Sequence, residues 1–161
     1  MTGTPTRILI DTRIWGLAFK RVLYRSDHPS LLLAEKADEF LRKALLDSIV
    51  LLSGQLVAEI YHVLTARGTK MPRGKASKLI DDLLTSENTE FRTTDLRIVK
   101  QALKLSTQTG FHIWDFLLVL PFKGEVDKIY TMDPHFRDCK ELQIAPIKNP
   151  LGVWKVEGKK E

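Results

Sequence analysis

Cysteine is nearly absent: Cys139 is the only one in 161 residues. That excludes an internal disulfide and any zinc cage built from thiolates. The four histidines, His28, His62, His112 and His135, make no zinc-binding pattern. Long apolar runs are lacking too. The longest ends at Pro121, well short of a membrane span. Ile8-Leu9-Ile10 meets Asp11 too soon to form a signal-peptide core. The expectation is a cytoplasmic protein with no membrane partner. No GxxxxGK[ST], GxGxxG or GxSxG stretch occurs, so a phosphate-cradling loop and a serine elbow are both missing. Acidic residues are absent from Tyr61 to Ile80, a stretch that holds Arg67, Lys70, Arg73, Lys75 and Lys78.

What is present fits one compact domain. An apolar fraction of 43% supports a single core at this length. The expected domain runs over 7–150, with 1–6 and 151–161 as flexible tails. A net charge of +5 permits contact with a polyanion.

Arg7–Asp11 reads as a short buried strand, and Ile14, Trp15, Leu17 and Ala18 as a helix running to about Tyr24. Ser26-Asp27-His28-Pro29 reads as the start signal, with Ser26 or Asp27 as cap, of a helix over Ser30–Asp47. Ser48–Ser53 is a second strand leading into a helix over Gln55–Arg67, with Leu56, Ile60, Val63 and Leu64 inward and Glu59 on the flank. A loop over Gly68–Lys75 precedes a helix over Ala76–Thr85. Thr89–Thr93 reads as a strand, Asp95–Thr109 as a helix, Lys128–Thr131 as a strand and Gln143–Ile147 as a last extended piece. Strands alternating with helices argue an α/β layer fold on a mostly parallel sheet.

Carboxylates at element ends then stand out. Asp11 ends the first strand, and open parallel sheets place their sites outside strand carboxyl ends. Asp115 opens the apolar helix containing Phe116-Leu117-Leu118-Val119-Leu120, and Asp133 follows the strand that ends near Thr131. With Glu59 they make a set that needs compensating cations if brought together. Hard oxygen donors favour Mg²⁺ or Mn²⁺ over zinc.

Four stretches, Ile8-Leu9-Ile10-Asp11-Thr12, Ser53 with Val57-Ala58-Glu59-Ile60, Trp114-Asp115-Phe116-Leu117-Leu118, and Tyr130-Thr131-Met132-Asp133-Pro134-His135-Phe136, together resemble the PIN-domain ribonucleases. The style is that of VapC-type toxins of prokaryotic toxin–antitoxin pairs, and the resemblance runs roughly from Arg7 to Pro150. It implies a three-layer α/β/α fold with a central, mostly parallel sheet of four to five short strands. It implies Mg²⁺- or Mn²⁺-dependent cleavage of RNA, with Asp11, Glu59, Asp115 and Asp133 as metal-holding catalytic residues and Thr131 and Thr12 in support. It also implies a small antitoxin partner and a homodimer. Arg13 stands where many relatives carry Ser or Asn, and either contacts phosphate or pairs with a site carboxylate.

Blander roles exist for the same residues. Asp11 and Asp115 suit helix starts, Glu59 suits an exposed helix flank, and Asp133 before Pro134 suits a turn. The basic stretch Arg67, Lys70, Arg73, Lys75 and Lys78 is either solvated charge or an RNA-backbone contact. Trp15, Trp114 and Trp154 read as core or interface residues. The alternative function is a PIN-like module that binds RNA or protein without catalysis. A phosphohydrolase of the haloacid-dehalogenase type requires Asp-x-Asp after the first strand, and Arg13 occupies the second position.

Overall fold

The computed structural model describes residues 3–66 and 70–155. Five strands, β1 Arg7–Ile10, β2 Ile49–Ser53, β3 Thr89–Arg92, β4 Lys128–Tyr130 and β5 Ile147–Lys148, form one sheet in the order β3-β2-β1-β4-β5. Every pairing is parallel, and β1 sits in the middle, with Ile8 opposite both Val50 and Lys128. The central strands are continuous apolar runs because helices cover both faces of the sheet. Ile8, Leu9 and Ile10 of β1 and Val50, Leu51 and Leu52 of β2 are all buried. Each such side chain contributes about 1.5–3 kcal/mol of burial. The edge strands TEFR and IK are polar and short, which discourages edge-to-edge pairing.

The helices are α1 Thr12–Lys20, α2 Leu31–Asp47, α3 Gly54–Ala66, α4 Arg73–Leu84, α5 Leu96–Thr109, α6 Ile113–Val119 and α7 His135–Asp138. Asp95 caps α5 by accepting from Ile98 N at 2.9 Å, and Gly110 closes that helix at φ +78°, the left-handed conformation that suits glycine. Gly16 lets α1 approach α3: a Cβ there would meet Val63 Cγ1 at 3.0 Å.

An ion-pair chain links β1 to β3. Arg7 reaches Glu90 at 2.9 Å, Glu90 also meets Arg92 at 2.8 Å, and Arg92 pairs with Glu125 at 2.9 Å. The hydrogen bond from Arg7, followed by that from Arg92, holds the Glu90 carboxyl below its ordinary range.

Several local expectations are corrected. The stretch from Ser26 to Pro29 does not cap α2: Ser30 holds the cap position, and His28 Nδ1 accepts from Ser30 N. Arg73 and Lys75 belong to the first turn of α4, started by Pro72 with its fixed φ, and not to a loop. The last strand is Ile147–Lys148 and not Gln143–Ile147; a 3-10 turn at Lys140–Leu142 precedes it, and pairing begins at the Pro146 carbonyl, which accepts from Ile129 N. The described part of the segment after Pro150, expected as a tail, is docked. Leu151 is buried, and Lys155 N donates to Met132 O at 2.9 Å. No helix among the described residues is long and apolar enough to cross a membrane.

The topology places a crevice. From β1 the chain moves outward through β2 to β3, then returns to the other side of β1 for β4 and β5. The order reverses between β1 and β4, and the switch point of an open parallel sheet opens a cleft at the strand carboxyl ends.

Candidate active site

Asp11 follows β1 and Thr131 follows β4, on the two sides of that switch point. Asp11 occupies the N-cap position of α1, yet its carboxylate makes no cap hydrogen bond. Oδ2 accepts instead from the hydroxyl of Thr131 at 2.9 Å. The same Thr131 oxygen accepts from Asp133 N at 3.0 Å, so one fully buried hydroxyl ties both aspartates to the end of β4. Asp133 is itself buried, and its Oδ1 accepts from His135 N at 2.9 Å. The turn role read from Asp133-Pro134 is therefore realised, and it points the carboxylate inward as well.

Asp115 enters from the opposite wall, in the first turn of α6. Asp115, Asp133 and His135 each offer one donor atom, and these lie within 4.8 Å of one another. His135 Nδ1 is 3.5 Å from Asp133 Oδ1 and 3.8 Å from Asp115 Oδ2. The ring meets Phe111 edge-on, with centroids 5.5 Å apart, and leans on His112 at 6.4 Å.

Glu59 forms a neighbouring group. Its Oε2 accepts from the Thr12 hydroxyl at 2.5 Å, and its Oε1 accepts from Gln55 Nε2 at 3.0 Å. Gln55 also donates to the carbonyl of Trp114, the residue before Asp115. The Glu59 and Asp115 walls are thus joined through one amide. Thr12, Gln55, Glu59, His62 and Trp114 line a cleft of about 690 Å³.

Of the carboxylates read from sequence, Asp115 and Asp133 meet in one cluster. Asp11 joins through Thr131, and Glu59 through Gln55. His135 completes the tight cluster. The signal for it was only its position two residues after Asp133. Arg13 donates to Lys155 O at 3.0 Å, anchoring the C-terminal segment beside α1. Lys70, Arg73, Lys75 and Lys78 are exposed, Lys78 pairs with Asp82 at 3.4 Å, and Arg67 lies outside the described residues. Trp15 is core, donating Nε1–H to Ile10 O at 3.0 Å, and Trp154 stacks under Arg137 at 4.4 Å. Trp114 stands 61% exposed on the rim of the cleft, which puts it outside the core.

The donor set fits a divalent cation. Two carboxylates this close repel unless a positive charge lies near them. Their oxygens are the hard donors that Mg²⁺ and Mn²⁺ take, and the imidazole adds a nitrogen.

No protein-family model and no curated protein matches the chain. Solved structures do match in fold. The VapC20 toxin of Mycobacterium tuberculosis, described as cleaving the sarcin–ricin loop, is 14% identical at a TM-score of 0.58, covering 81% of this chain and 93% of its own. VapBC2 from Rickettsia felis, bound to a DNA fragment from its promoter, is 15% identical at 0.57, covering 89% and 98%. FitAB bound to a DNA fragment is 14% identical at 0.55, covering 95% and 99%. At such identities the likeness is one of fold alone: the chain shares the architecture of these three structures.

Proposed function

We propose that the chain is a divalent-cation-dependent endoribonuclease, the toxin of a toxin–antitoxin pair, with Asp11, Glu59, Asp115 and Asp133 holding one or two Mg²⁺ or Mn²⁺ ions. The observation that carries this reading is the meeting of Asp115 and Asp133 at the switch point, with Asp11 drawn in by Thr131. A cation bound there lowers the pKa of water and offsets charge developing at phosphorus.

The protein's own groups do the positioning. Thr131 holds Asp11 and the Asp133 backbone, while Thr12 and Gln55 fix both oxygens of Glu59. Asp115 sits in the first turn of α6, where a carboxylate complements the helix dipole. The basic stretch is a candidate phosphate contact, with Lys70, Arg73, Lys75 and Lys78 exposed and Arg67 completing it in sequence.

An RNA substrate is supported by the fold shared with the sarcin–ricin-loop-cleaving toxin. A small antitoxin and a homodimeric state are proposed on the resemblance of the sequence to VapC-type toxins. The reading as a non-catalytic module rested on Arg13, and that guanidinium is engaged by the Lys155 carbonyl. The test is cleavage of a structured RNA by the purified chain. Cleavage in Mn²⁺ or Mg²⁺ should stop with EDTA and in folded Asp11→Asn and Asp133→Asn variants. Undiminished cleavage by a folded Asp133→Asn protein would overturn the assignment.

A further inference from the structure

His135 is the group near the carboxylates that the four-acid reading leaves without a task. Its placement is specific. The Asp133 carboxylate accepts from the backbone N–H of His135 at 2.9 Å, which folds the chain back at the start of α7. That turn returns the imidazole toward the carboxylate that anchors it. The ring is then held edge-on by Phe111, and its Nδ1 faces both Asp133 Oδ1 and Asp115 Oδ2.

The spacing matters. Separations of 3.5 and 3.8 Å exceed the roughly 2.7–2.9 Å of a direct charge-assisted hydrogen bond. Donors bound to one small divalent ion at about 2.1 Å sit roughly 3 Å apart when adjacent and roughly 4.2 Å apart when opposite. The observed separations lie between those two values, so an ion seated there would shift the side chains by only a fraction of an ångström. The arrangement suits three donors around a shared ion better than an imidazole bonded to either carboxylate.

We propose that His135 Nδ1 is a third ligand, beside Asp115 and Asp133, and that this nitrogen biases the site toward a borderline divalent cation such as Mn²⁺ over Mg²⁺. The inference rests on the cation site of the proposed function and adds a nitrogen donor to it. Mg²⁺ takes hard oxygen ligands and keeps several waters, whereas imidazole suits the transition ions. The proton of the neutral ring then sits on Nε2, leaving the Nδ1 lone pair for the ion.

The experiment is Mn²⁺ binding to the full chain followed by electron paramagnetic resonance, with pulsed detection of ¹⁴N coupling. Expected are uptake that is lost in Asp133→Asn, a ¹⁴N coupling in wild type, and loss of that coupling in His135→Ala but not in His112→Ala. His135→Ala should also weaken Mn²⁺ binding on the order of tenfold while changing Mg²⁺ competition less. The wild-type coupling needs no variant to fold, and circular dichroism checks the variants. Asp133-dependent uptake with no ¹⁴N coupling, or coupling that survives in His135→Ala, overturns the His135 assignment and leaves the cation site standing. No uptake by wild type, or uptake unchanged in Asp133→Asn, overturns the cation site and this inference with it.

Discussion

The Thr131 hydroxyl donates to Asp11 Oδ2 at 2.9 Å, joining the ends of two adjacent parallel strands through one side chain. The same oxygen accepts from the Asp133 backbone N–H at 3.0 Å, so one residue holds the Asp11 carboxylate and the Asp133 backbone together.

Replacing Thr131 by Val keeps its shape and removes both bonds. Thr131 is fully buried, so the Asp133 N–H would lose its partner away from water. The expected loss is about 1–3 kcal/mol of stability, read from the urea midpoint. Thr131→Ser, which keeps the oxygen, should recover most of it. Equal stability of the Val and Ser variants would show that the hydroxyl holds nothing.

Gly16 sets how closely α1 lies against α3, and Thr12 on α1 holds Glu59 on α3. Gly16→Leu would press on Val63 and cost about 1–3 kcal/mol by overpacking. It should also weaken Mn²⁺ uptake, because the Thr12–Glu59 bond spans the same interface. A destabilised variant with unaltered uptake would place Glu59 outside the cation site.

Glu90 titrates below its ordinary value of 4.5, chiefly because of the Arg7 hydrogen bond. A depressed carboxyl gives stability that is fully present above its unfolded pKa and lost as pH falls through the lower folded value. Arg7→Gln should therefore cost up to about 1 kcal/mol at pH 6, the scale of a partly exposed pair. The two stability curves should converge as pH falls below 4.5. A gap that stays constant to pH 3 would assign the loss to packing.

Burial pushes the Cys139 thiol pKa up, and the side chain is 2% exposed. It should resist alkylation in the folded protein and react only as the chain unfolds. Rapid stoichiometric labelling under native conditions would contradict that placement.

The parts of the fold with a clear period were legible in the sequence. RILI and IVLLS are apolar throughout because β1 and β2 are covered on both faces, and α2, α3 and α5 repeat their apolar residues at helical spacing. Short elements carry no period: the four-residue α7 was not read, and the two-residue β5 was placed too early, over Gln143–Ile147. Pro72 was read as loop although it starts α4. Of the candidate acids, Asp11, Asp115 and Asp133 were legible as residues at element ends and Glu59 as one on a helix flank. The role of His135 depends on a turn made by its own amide, which no spacing encodes. The exposure of Trp114 was equally hidden, since it depends on how α6 meets α3 through Gln55.

The central claim is that the carboxyl ends of β1 and β4 frame a divalent-cation site. Calorimetric titration of Mn²⁺ into wild type and Asp133→Asn, with circular dichroism confirming that both are folded, tests it most directly. The account predicts saturable binding to the wild type that disappears in the variant. No heat of binding to the wild type at millimolar Mn²⁺, or identical isotherms for the two proteins, would contradict it.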